Sequence, residues 1–312
     1  MPDVSVVIPT HNRKRLLGQT LRSALAQRGL DFEVLVMDDG STDGTADGVA
    51  ALGDHRVRLL RHQRPRGVAA ARNTGVAAAH GAWVAFLDDD DLWAPDKLAR
   101  QLDTAQAEGR DWVYAGAVEV DGAGRLLGGA PPPPPSVLLA QLTRRNPMPA
   151  GSSNVMVRAT LLAEAGGFDP ALRHLADWDL WLRLARQTRP AWVAAPLVAY
   201  RIHPAQATMD TTGMVAEARL LQARHGADPR AIHRWAAWSQ LRAGRRRAAV
   251  AAYYAAVRSG DIVSVARSAV ALLSPHPTLV RRPWRAAATA PGWHRAAQAW
   301  LEELAAAEGA RS

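Results

Sequence analysis

Cysteine is absent from this chain of 312 residues. Without thiols the fold has no disulfide framework, no thiolate metal site and no cysteine nucleophile, which leaves a cytoplasmic location open. Long hydrophobic runs are also missing: nowhere do about 18 apolar residues follow one another, the length that a membrane-spanning helix needs. The N-terminus passes directly from a short apolar segment into polar residues, so we expect no secretion signal.

Lysine is missing from the C-terminal third, although positive charge is not. Residues 213–312 contain 15 arginines and 6 acidic residues, whereas the two charges balance over residues 1–212, so the tail carries the whole net charge of +9. With 48% apolar and 21% charged residues, the overall composition is that of a globular protein. We therefore expect a neutral body that carries a basic appendage.

Two alternating periodicities fill the first hundred residues. Short apolar or β-branched runs, typical of strands buried on both faces, lie at residues 4–8, 32–37, 57–60 and 83–87. Helical stretches lie between them. This alternation predicts an α/β fold with a Rossmann-like, mostly parallel central sheet flanked by helices.

Three polar clusters follow three of these strands. They are THNR (10–13), DDGSTDGT (38–45) and DDDD (88–91). Ligands of such sheets bind beyond the carboxyl ends of the strands, and these ends share one edge of the sheet. The sequence therefore predicts that the three clusters converge on one edge, which we call the carboxyl rim.

The pattern is looser in the second half of the chain. Residues 111–130 predict a hairpin and residues 177–187 a helix, and a final strand is expected at 192–195. From about residue 206 the chain is rich in alanine and arginine and predicts helices. We therefore divide the protein into a first domain at 1–205 and an all-helical C-terminal extension at 206–312.

The four consecutive aspartates at 88–91 are the most informative cluster. Two unit charges about 4 Å apart repel by roughly 4 kcal/mol at an effective dielectric constant near 20. A divalent cation removes that repulsion, and oxygen ligands suit magnesium or manganese. The alternative is a solvated acidic loop, which fits poorly between two apolar pairs. We expect the last of the four, Asp91, to cap the turn before Pro95.

Asp39 and Arg72 are the candidates for contact with a nucleotide. A carboxylate after a buried strand can accept hydrogen bonds from a base or a ribose, although an acidic turn that caps a helix fits the same segment. Asp38 is expected to be structural. The guanidinium of Arg72 suits phosphate and its neighbours in the chain are small, but a solvated surface arginine is the alternative.

Asp177 and His203 are the remaining candidates. Asp177 opens a predicted helix among aromatic residues, and a partly buried carboxylate is what a general base requires, but a structural role fits the pattern equally well. Asp179, in the same turn, is expected to be structural. His203 alone is an ordinary packing or surface histidine, unless the chain folds back toward the acidic run.

Seven segments, in order, resemble the family-2 glycosyltransferases of the GT-A fold. They are VSVVIPTHNR, FEVLVMDDGSTDGT, GVAAARNTG, AWVAFLDDDDLWAPDKL, GGFDPAL, ADWDLWLRLA and YRIHP, and they cover roughly residues 1–205. The resemblance implies inverting transfer of a sugar from a nucleotide diphosphate donor, with a UDP-sugar favoured and Mn²⁺ or Mg²⁺ as cofactor. It also implies a nucleotide-binding half at about 1–110 and an acceptor half at about 111–205.

The resemblance assigns roles on the nucleotide side. It implies that Asp39 reads the base and that Arg72 contacts the nucleotide or its phosphates. Asp89, beside the matched aspartates, is expected to be a spacer or a second ribose contact. It places a nucleotide-binding loop at Pro9, Thr10, His11, Asn12 and Arg13.

The resemblance also assigns the metal ligands and the base. Asp90 is implied as a metal ligand, Asp88 as a ribose contact or metal-bridging partner, and His203 as a residue at the metal and diphosphate. Asp177 is implied as the base that deprotonates the acceptor hydroxyl. The family usually has Glu-Asp at this point, whereas here Ala176 precedes Asp177.

Two other function classes remain open at this stage. A non-catalytic module of the same fold would bind a nucleotide sugar or glycan without turnover. A nucleic-acid binder is suggested by the basic tail, but the tail has no recognisable nucleic-acid motif, so we expect no nucleic-acid partner.

The arginine-rich tail allows two interpretations. Its arginines and tryptophans predict peripheral contact with anionic lipid on the inner face of a membrane, which suits a glycan, lipid-linked or other cell-envelope acceptor. A helical cap on the catalytic domain, or a contact in a homo-oligomer, fits equally well. The tryptophans concerned are Trp235, Trp238, Trp284, Trp293 and Trp300.

Overall fold

One mixed sheet with helices on both faces forms the protein. The computed structural model describes residues 1–203, 211–242, 245–258, 260–266 and 291–309. The strands are β1 (Val4–Thr10), β2 (Phe32–Asp38), β3 (Val57–Arg61), β4 (Trp83–Phe86), β5 (Leu92–Trp93), β6 (Trp112–Val120), β7 (Leu126–Ala130), β8 (Met156–Arg158) and β9 (Ala191–Arg201).

The helices are interspersed with the strands as far as β9, and α8 to α11 follow it. They are α1 (Lys14–Leu25), α2 (Thr45–Ala50), α3 (Val68–Ala77), α4 (Lys97–Ala107), α5 (Pro135–Leu142), α6 (Ala159–Glu164), α7 (Ala176–Gln187), α8 (Thr211–His225), α9 (Arg230–Arg242), α10 (Arg246–Arg258) and α11 (Pro291–Gly309). A 3₁₀ turn spans Gly151–Asn154. No helix in these ranges is both long enough and apolar enough to cross a bilayer.

The sheet confirms the predicted α/β architecture. Its strand order is β3-β2-β1-β4-β8-β6-β9-β5, with β7 paired to β6 outside this path. The strands β1, β2, β3, β4, β6 and β9 run in one direction, and β5, β7 and β8 run against them. Every residue of β1, β2 and β4 is buried, as their continuous apolar runs predict.

The final strand is longer than predicted. The sequence indicated a strand at 192–195, whereas β9 continues to Arg201 because it pairs with β6 along most of its length and with β5 near its end. Pro196 has no N–H to donate to the ladder, and the register with β6 shifts on both sides of Gly116. Because a proline without an N–H is typical of a strand end, the local sequence predicted that the strand stopped at residue 195.

Two apolar clusters cover the two faces of the sheet, and the C-terminal helices contribute to both. Val4, Val6 and Ile8 of β1 point to one face and Val7 to the other. On the first face α11 packs through three small or aromatic residues, Trp293, Ala297 and Trp300. On the second face α8 packs through Met214, Ala218 and Leu221.

These contacts decide part of the interpretation of the tail. The indole N–H of Trp300 donates to the carbonyl oxygen of Pro196 at 2.8 Å, and Trp293 is 8% exposed. Trp235 packs against the second apolar cluster. Trp293 and Trp300 therefore pack on residues 1–205, as the cap interpretation expected. Trp284 and the side chain of Trp238 lie outside the described residues.

Candidate active site

The three polar clusters meet at the carboxyl rim, as predicted. Thr10, the last residue of β1, pairs with Asp38 of β2, and β4 lies on the other side of β1. The hydroxyl of Thr10 donates to Asp89 Oδ2 at 2.7 Å, and Arg13 Nη1 donates to Asp89 Oδ1 at 3.0 Å. The first cluster is therefore bonded directly to the third.

The second cluster orders the loop that leads into α3. Asp38 is fully buried and accepts the N–H of Ser41 at 2.8 Å, a structural role. Asp39 accepts the N–H of Arg66 at 2.9 Å and that of Gly67 at 2.8 Å, and His62 Nδ1 lies 2.6 Å from its Oδ1. Burial opposes ionisation of Asp39, but these hydrogen bonds outweigh it and hold its pKa below the ordinary value.

Asp88 is the most accessible of the four aspartates. Its side chain is 32% exposed, and its Oδ1 lies 2.5 Å from Nη2 of Arg72. Its backbone N–H donates to the hydroxyl of Ser153 at 3.0 Å. Asp88 is therefore held in place while its carboxylate still faces the cleft.

Asp89 and Asp90 share one guanidinium. Arg13 Nη1 lies 3.0 Å from Asp89 Oδ1 and 2.6 Å from Asp90 Oδ2. Burial raises the pKa of Asp89 to about 7; the carboxylate of Asp90 adds to the shift and Arg13 opposes it. Asp89 is 6% exposed and faces inward, so its ribose contact remains a prediction.

Asp91 does not cap the turn before Pro95, and that expectation is wrong. Its carboxylate is fully buried and accepts the backbone N–H of Arg201 at 2.9 Å and the hydroxyl of Ser153 at 2.5 Å. Burial, followed by the charges of Asp90 and Asp88, raises the pKa of Asp91 well above the ordinary value. Asp91 therefore fixes β9 and the 3₁₀ turn against the rim.

The chain after β9 folds back to the acidic run. His203 Nε2 lies 2.9 Å from Asp90 Oδ2, and Nε of Arg201 donates to the carbonyl oxygen of Asp90 at 2.8 Å. This fulfils the condition under which His203 becomes a candidate for the site.

The side chains of the rim offer a cation a partial set of ligands, and Arg13 competes with it at Asp90 Oδ2, 2.6 Å away. Within the described ranges, no group of three or more His, Asp or Glu side chains forms a complete metal cage. Asp90 and His203 nevertheless bring a carboxylate and an imidazole together, beside carboxylates that repel one another. Magnesium at nucleotide sites commonly takes one or two protein ligands and completes its shell with water and phosphate oxygens.

Arg72 is buried rather than solvated, contrary to the surface alternative. It is 6% exposed, and its guanidinium lies 5.0 Å from the centre of the Phe168 ring. Asn73 holds that phenylalanine by two hydrogen bonds to its backbone, at 2.7 and 2.9 Å. A Cβ at Gly167 would lie 2.7 Å from Asn73 Oδ1, and Gly167 has a φ of +66°, so glycine is required there.

Asp177 lies in the first turn of α7 in a confined position. Its Oδ2 accepts from Asn146 Nδ2 at 3.2 Å and its Oδ1 from the N–H of Trp178 at 2.7 Å. A Cβ at Gly151 would come within 3.1 Å of Oδ2. The 3₁₀ turn therefore closes one side of this carboxylate.

The pKa of Asp177 is raised to about 6. Burial is the main cause; the charge of Arg72 acts against it and that of Asp88 acts with it. These electrostatic interactions place Asp177 in one site with Arg72 and Asp88. A carboxylate with a pKa near 6 is suited to accept a proton at neutral pH.

Sequence reasoning missed several residues that build the site. Ser153 bridges Asp88 and Asp91, Asn146 bonds Asp177, and Phe168 supports Arg72. Ser153 and Phe168 stand in segments with a visible signal, the SSN before β8 and the GGFDP turn. Asn146 follows two arginines in an irregular stretch and carries no such signal.

Comparisons of the sequence identify the family of this chain. The family model described as "Glycosyl transferase family 2" matches residues 5–165. The succinoglycan biosynthesis protein ExoO of Rhizobium meliloti is 46% identical over 109 residues, which are 35% of this chain and only 31% of that protein. The Escherichia coli UDP-Glc:alpha-D-GlcNAc-diphosphoundecaprenol beta-1,3-glucosyltransferase WfgD is 30% identical over 183 residues, 59% of this chain and 70% of WfgD.

Solved structures share the fold. Staphylococcus aureus TarS 1–349 in complex with UDP-GlcNAc aligns with a TM-score of 0.57 at 16% identity, over 82% of this chain and 81% of that one. The mannosyltransferase PcManGT of Pyrobaculum calidifontis, in complex with GDP-Man and Mn²⁺, aligns with a TM-score of 0.55 at 22% identity, over 98% of this chain and 86% of that one. The predicted GT-A architecture with a helical C-terminal region is confirmed.

Proposed function

The chain belongs to glycosyl transferase family 2 and is a glycosyltransferase, and from this premise we propose that it works by single displacement with inversion. A hydroxyl of the acceptor attacks the anomeric carbon of a nucleotide-diphospho-sugar, and the nucleoside diphosphate leaves. The observation that carries the proposal is the position of Asp177, a confined carboxylate with a pKa of about 6 in the same site as Arg72 and Asp88.

Asp177 is the general base of this proposal. Ionised above pH 6, it accepts the proton of the acceptor hydroxyl as the new glycosidic bond forms. Asn146 and the N–H of Trp178 hold the two carboxylate oxygens, so the base keeps one orientation. The 3₁₀ turn at Gly151 closes one side of this carboxylate and so limits the directions from which an acceptor can approach Asp177.

The opposite side of the cleft binds the nucleotide. Asp39 and its ordered loop contact the base, Arg72 contacts the diphosphate, and Asp88 and Asp89 contact the ribose. The exposed His11 and Asn12 are the accessible part of the nucleotide-binding loop at 9–13. Arg13 acts there through its contacts with Asp89 and Asp90.

A divalent cation, Mn²⁺ or Mg²⁺, would be held by Asp90 and His203, with Asp88 as the bridging partner. Bound there, it supplies Lewis-acid stabilisation of the charge on the departing diphosphate. Arg72 contributes positive charge to the same group. The Mn²⁺ complex of the mannosyltransferase with the same fold supports the use of a divalent cation.

The names of two relatives support a choice of substrates. WfgD is named for UDP-glucose and a GlcNAc-diphosphoundecaprenol acceptor, and a putative teichuronic acid glycosyltransferase of Bacillus subtilis is 39% identical over 104 residues. We therefore propose a UDP-sugar donor and a cell-envelope glycan or lipid-linked acceptor. GDP-Man in the mannosyltransferase complex makes a guanosine donor the competitor to test.

A lipid-linked acceptor makes peripheral contact with the inner face of a membrane part of the proposal. Trp293 and Trp300 pack on the catalytic domain and Trp235 is partly buried in the second apolar cluster, so lipid contact would come from another surface. The outward face of α10 and the segment after it expose arginine beside apolar groups, the composition of an interfacial surface. Its exposed residues include Arg247, Tyr254, Arg258, Ile262 and Val263.

A thermal-shift screen tests the donor class. UDP, GDP, UDP-glucose, UDP-GlcNAc and GDP-mannose are each added with and without Mn²⁺, since a ligand that binds the folded state stabilises it by mass action. The proposal predicts that a uridine nucleotide raises the unfolding temperature most and that Mn²⁺ increases this effect. Stabilisation by the guanosine nucleotides alone would contradict the UDP assignment.

A further inference from the structure

A carboxylate from outside the family match is buried against α7. Glu217 belongs to α8, whereas the match ends at residue 165. Its side chain lies in the interior, with the residue 7% exposed. Its Oε1 accepts the N–H of Arg173 at 2.7 Å, and its Oε2 accepts those of His174 at 2.9 Å and Leu175 at 2.8 Å.

These three N–H groups lead directly into α7. The residue at the N-cap, Leu175, has no side chain that could accept a hydrogen bond. The first N–H groups of a helix have no partner inside the helix, and a negative charge near them is favourable. Glu217 supplies that charge from another helix, and hydrogen bonds to a carboxylate are stronger than those between neutral groups.

A second contact holds the same turn of α7. His225 Nε2, at the end of α8, lies 2.7 Å from Asp179 Oδ1, and Arg183 Nε donates to Asp179 Oδ2 at 2.8 Å. Asp177 lies between these two attachments, two residues after Leu175 and two before Asp179. The backbone that carries Asp177 is therefore held by α8 on both sides.

We propose that Glu217 is a positioning residue for the transfer reaction. It fixes the start of α7, so that the carboxylate of Asp177 faces the acceptor at the required distance, and α8 thereby forms part of the acceptor side of the site. This inference rests on the proposed role of Asp177 as base. A base must lie within hydrogen-bond reach of the proton it takes, and a displacement of about 1 Å can cost on the order of a hundredfold in rate.

The test compares Glu217→Gln with Leu220→Gln. The glutamine at 217 keeps one acceptor oxygen and places an NH₂ group against backbone N–H groups, whereas Leu220 is 43% exposed on the same helix. With UDP-glucose as donor and a GlcNAc-diphospholipid as acceptor, we expect kcat of Glu217→Gln to fall at least tenfold. The KM for UDP-glucose should stay within twofold, because the nucleotide side is unchanged. Glu217→Asp, which keeps the charge, should recover part of kcat.

Hydrogen exchange tests the same inference without substrate. In Glu217→Gln the amides of residues 173–178 should exchange at least tenfold faster than in the wild type, while those of β1 and β2 stay unchanged. Unchanged exchange at 173–178 overturns the inference, whatever the substrate. Equal kcat in the two glutamine variants, or a loss of kcat matched by lost UDP binding, also overturns it. A wild type without turnover would instead count against the proposed substrates.

Discussion

At the scale of single residues, four adjacent aspartates have four different environments. Asp88 pairs with Arg72 and faces the cleft, Asp89 and Asp90 share Arg13, and Asp91 is buried against Ser153 and β9. The repulsion that the sequence implies is thus distributed over separate partners. The sequence predicted that this run was functional. The partners of the four carboxylates lie at positions between 13 and 201, far from the run in the chain, so the local sequence could not predict them.

The raised pKa of Asp177 predicts an acid limit for activity. The base must be ionised, and its pKa of about 6 lies above the ordinary 3.8. Below about pH 6, kcat/KM should therefore fall tenfold per pH unit, and above about pH 7 it should level off. The measurement is a pH profile with saturating Mn²⁺, and a flat profile between pH 5 and 7 would contradict the assignment.

The same raised pKa predicts that the ionised carboxylate of Asp177 destabilises the folded protein. A carboxyl whose pKa is raised in the folded state loses stability as the pH rises through 3.8 to about 6. At pH 8 the full penalty applies, up to about 3 kcal/mol for two pKa units. Asp177→Asn should therefore raise the unfolding temperature by a few degrees at pH 8 and have little effect at pH 4.

Asp179→Asn is the matched control for this stability effect. Asp179 lies in the same turn but is paired with Arg183 and His225, so its amide variant should unfold at a lower temperature than the wild type. If Asp177→Asn were destabilised as much as Asp179→Asn at pH 8, the ionised carboxylate of Asp177 would not destabilise the folded protein, and the prediction would be wrong.

At the scale of elements, the periodicity of the sequence predicted the strands whose formation depends on their own residues. The runs at 4–8, 32–37 and 83–87 became strands because each is apolar on both faces. The unbroken course of β9 depends on pairing with β6 and β5, which are far away in the chain. Glu217 contacts the start of α7, and α11 packs on the sheet. Neither contact could be predicted from the sequence of α8 or α11 alone.

The packing of α11 depends on a missing side chain. A Cβ at Gly116 would lie 2.1 Å from the ring of Trp293. Gly116→Ala should therefore destabilise the protein by about 1–3 kcal/mol, the usual cost of overpacking. Gly122→Ala is the control, because a Cβ there would meet nothing within 4 Å.

A double variant separates this contact from other effects of the alanine. In Gly116→Ala/Trp293→Ala the overpacked ring is gone, so the alanine at 116 should cost less than it does in the wild type. Part of its cost should remain, because a Cβ at Gly116 also lies 2.8 Å from the carbonyl oxygen of Ala195. Chemical unfolding of the four proteins gives the coupling energy. Additive losses would mean that α11 does not pack through this contact.

At the scale of the whole molecule, the uneven charge has a structural context. The excess arginines lie in the C-terminal third, yet α8 and α11 of that third pack into the two apolar clusters. Composition suggested an appendage because it reports charge and not packing. Removing everything after residue 212 would also remove Glu217, so a test of lipid contact needs surface substitutions instead.

Binding to vesicles tests the proposed membrane surface. Arg247→Gln/Arg258→Gln removes two exposed charges of that surface, and co-sedimentation with anionic phosphatidylglycerol vesicles at low salt should fall several-fold. Arg125→Gln/Arg144→Gln removes two exposed charges from the catalytic domain and should bind like the wild type. Equal binding by all three proteins would contradict contact through this surface.

The central claim is that this chain transfers a sugar with Asp177 as its base. The direct measurement is transfer of labelled sugar from UDP-glucose to a GlcNAc-diphospholipid by the wild type and by Asp177→Asn, with UDP binding measured in parallel. The account predicts that the variant binds UDP as the wild type does and loses transfer by at least a hundredfold. Near-normal transfer by Asp177→Asn, with UDP binding intact, would contradict it.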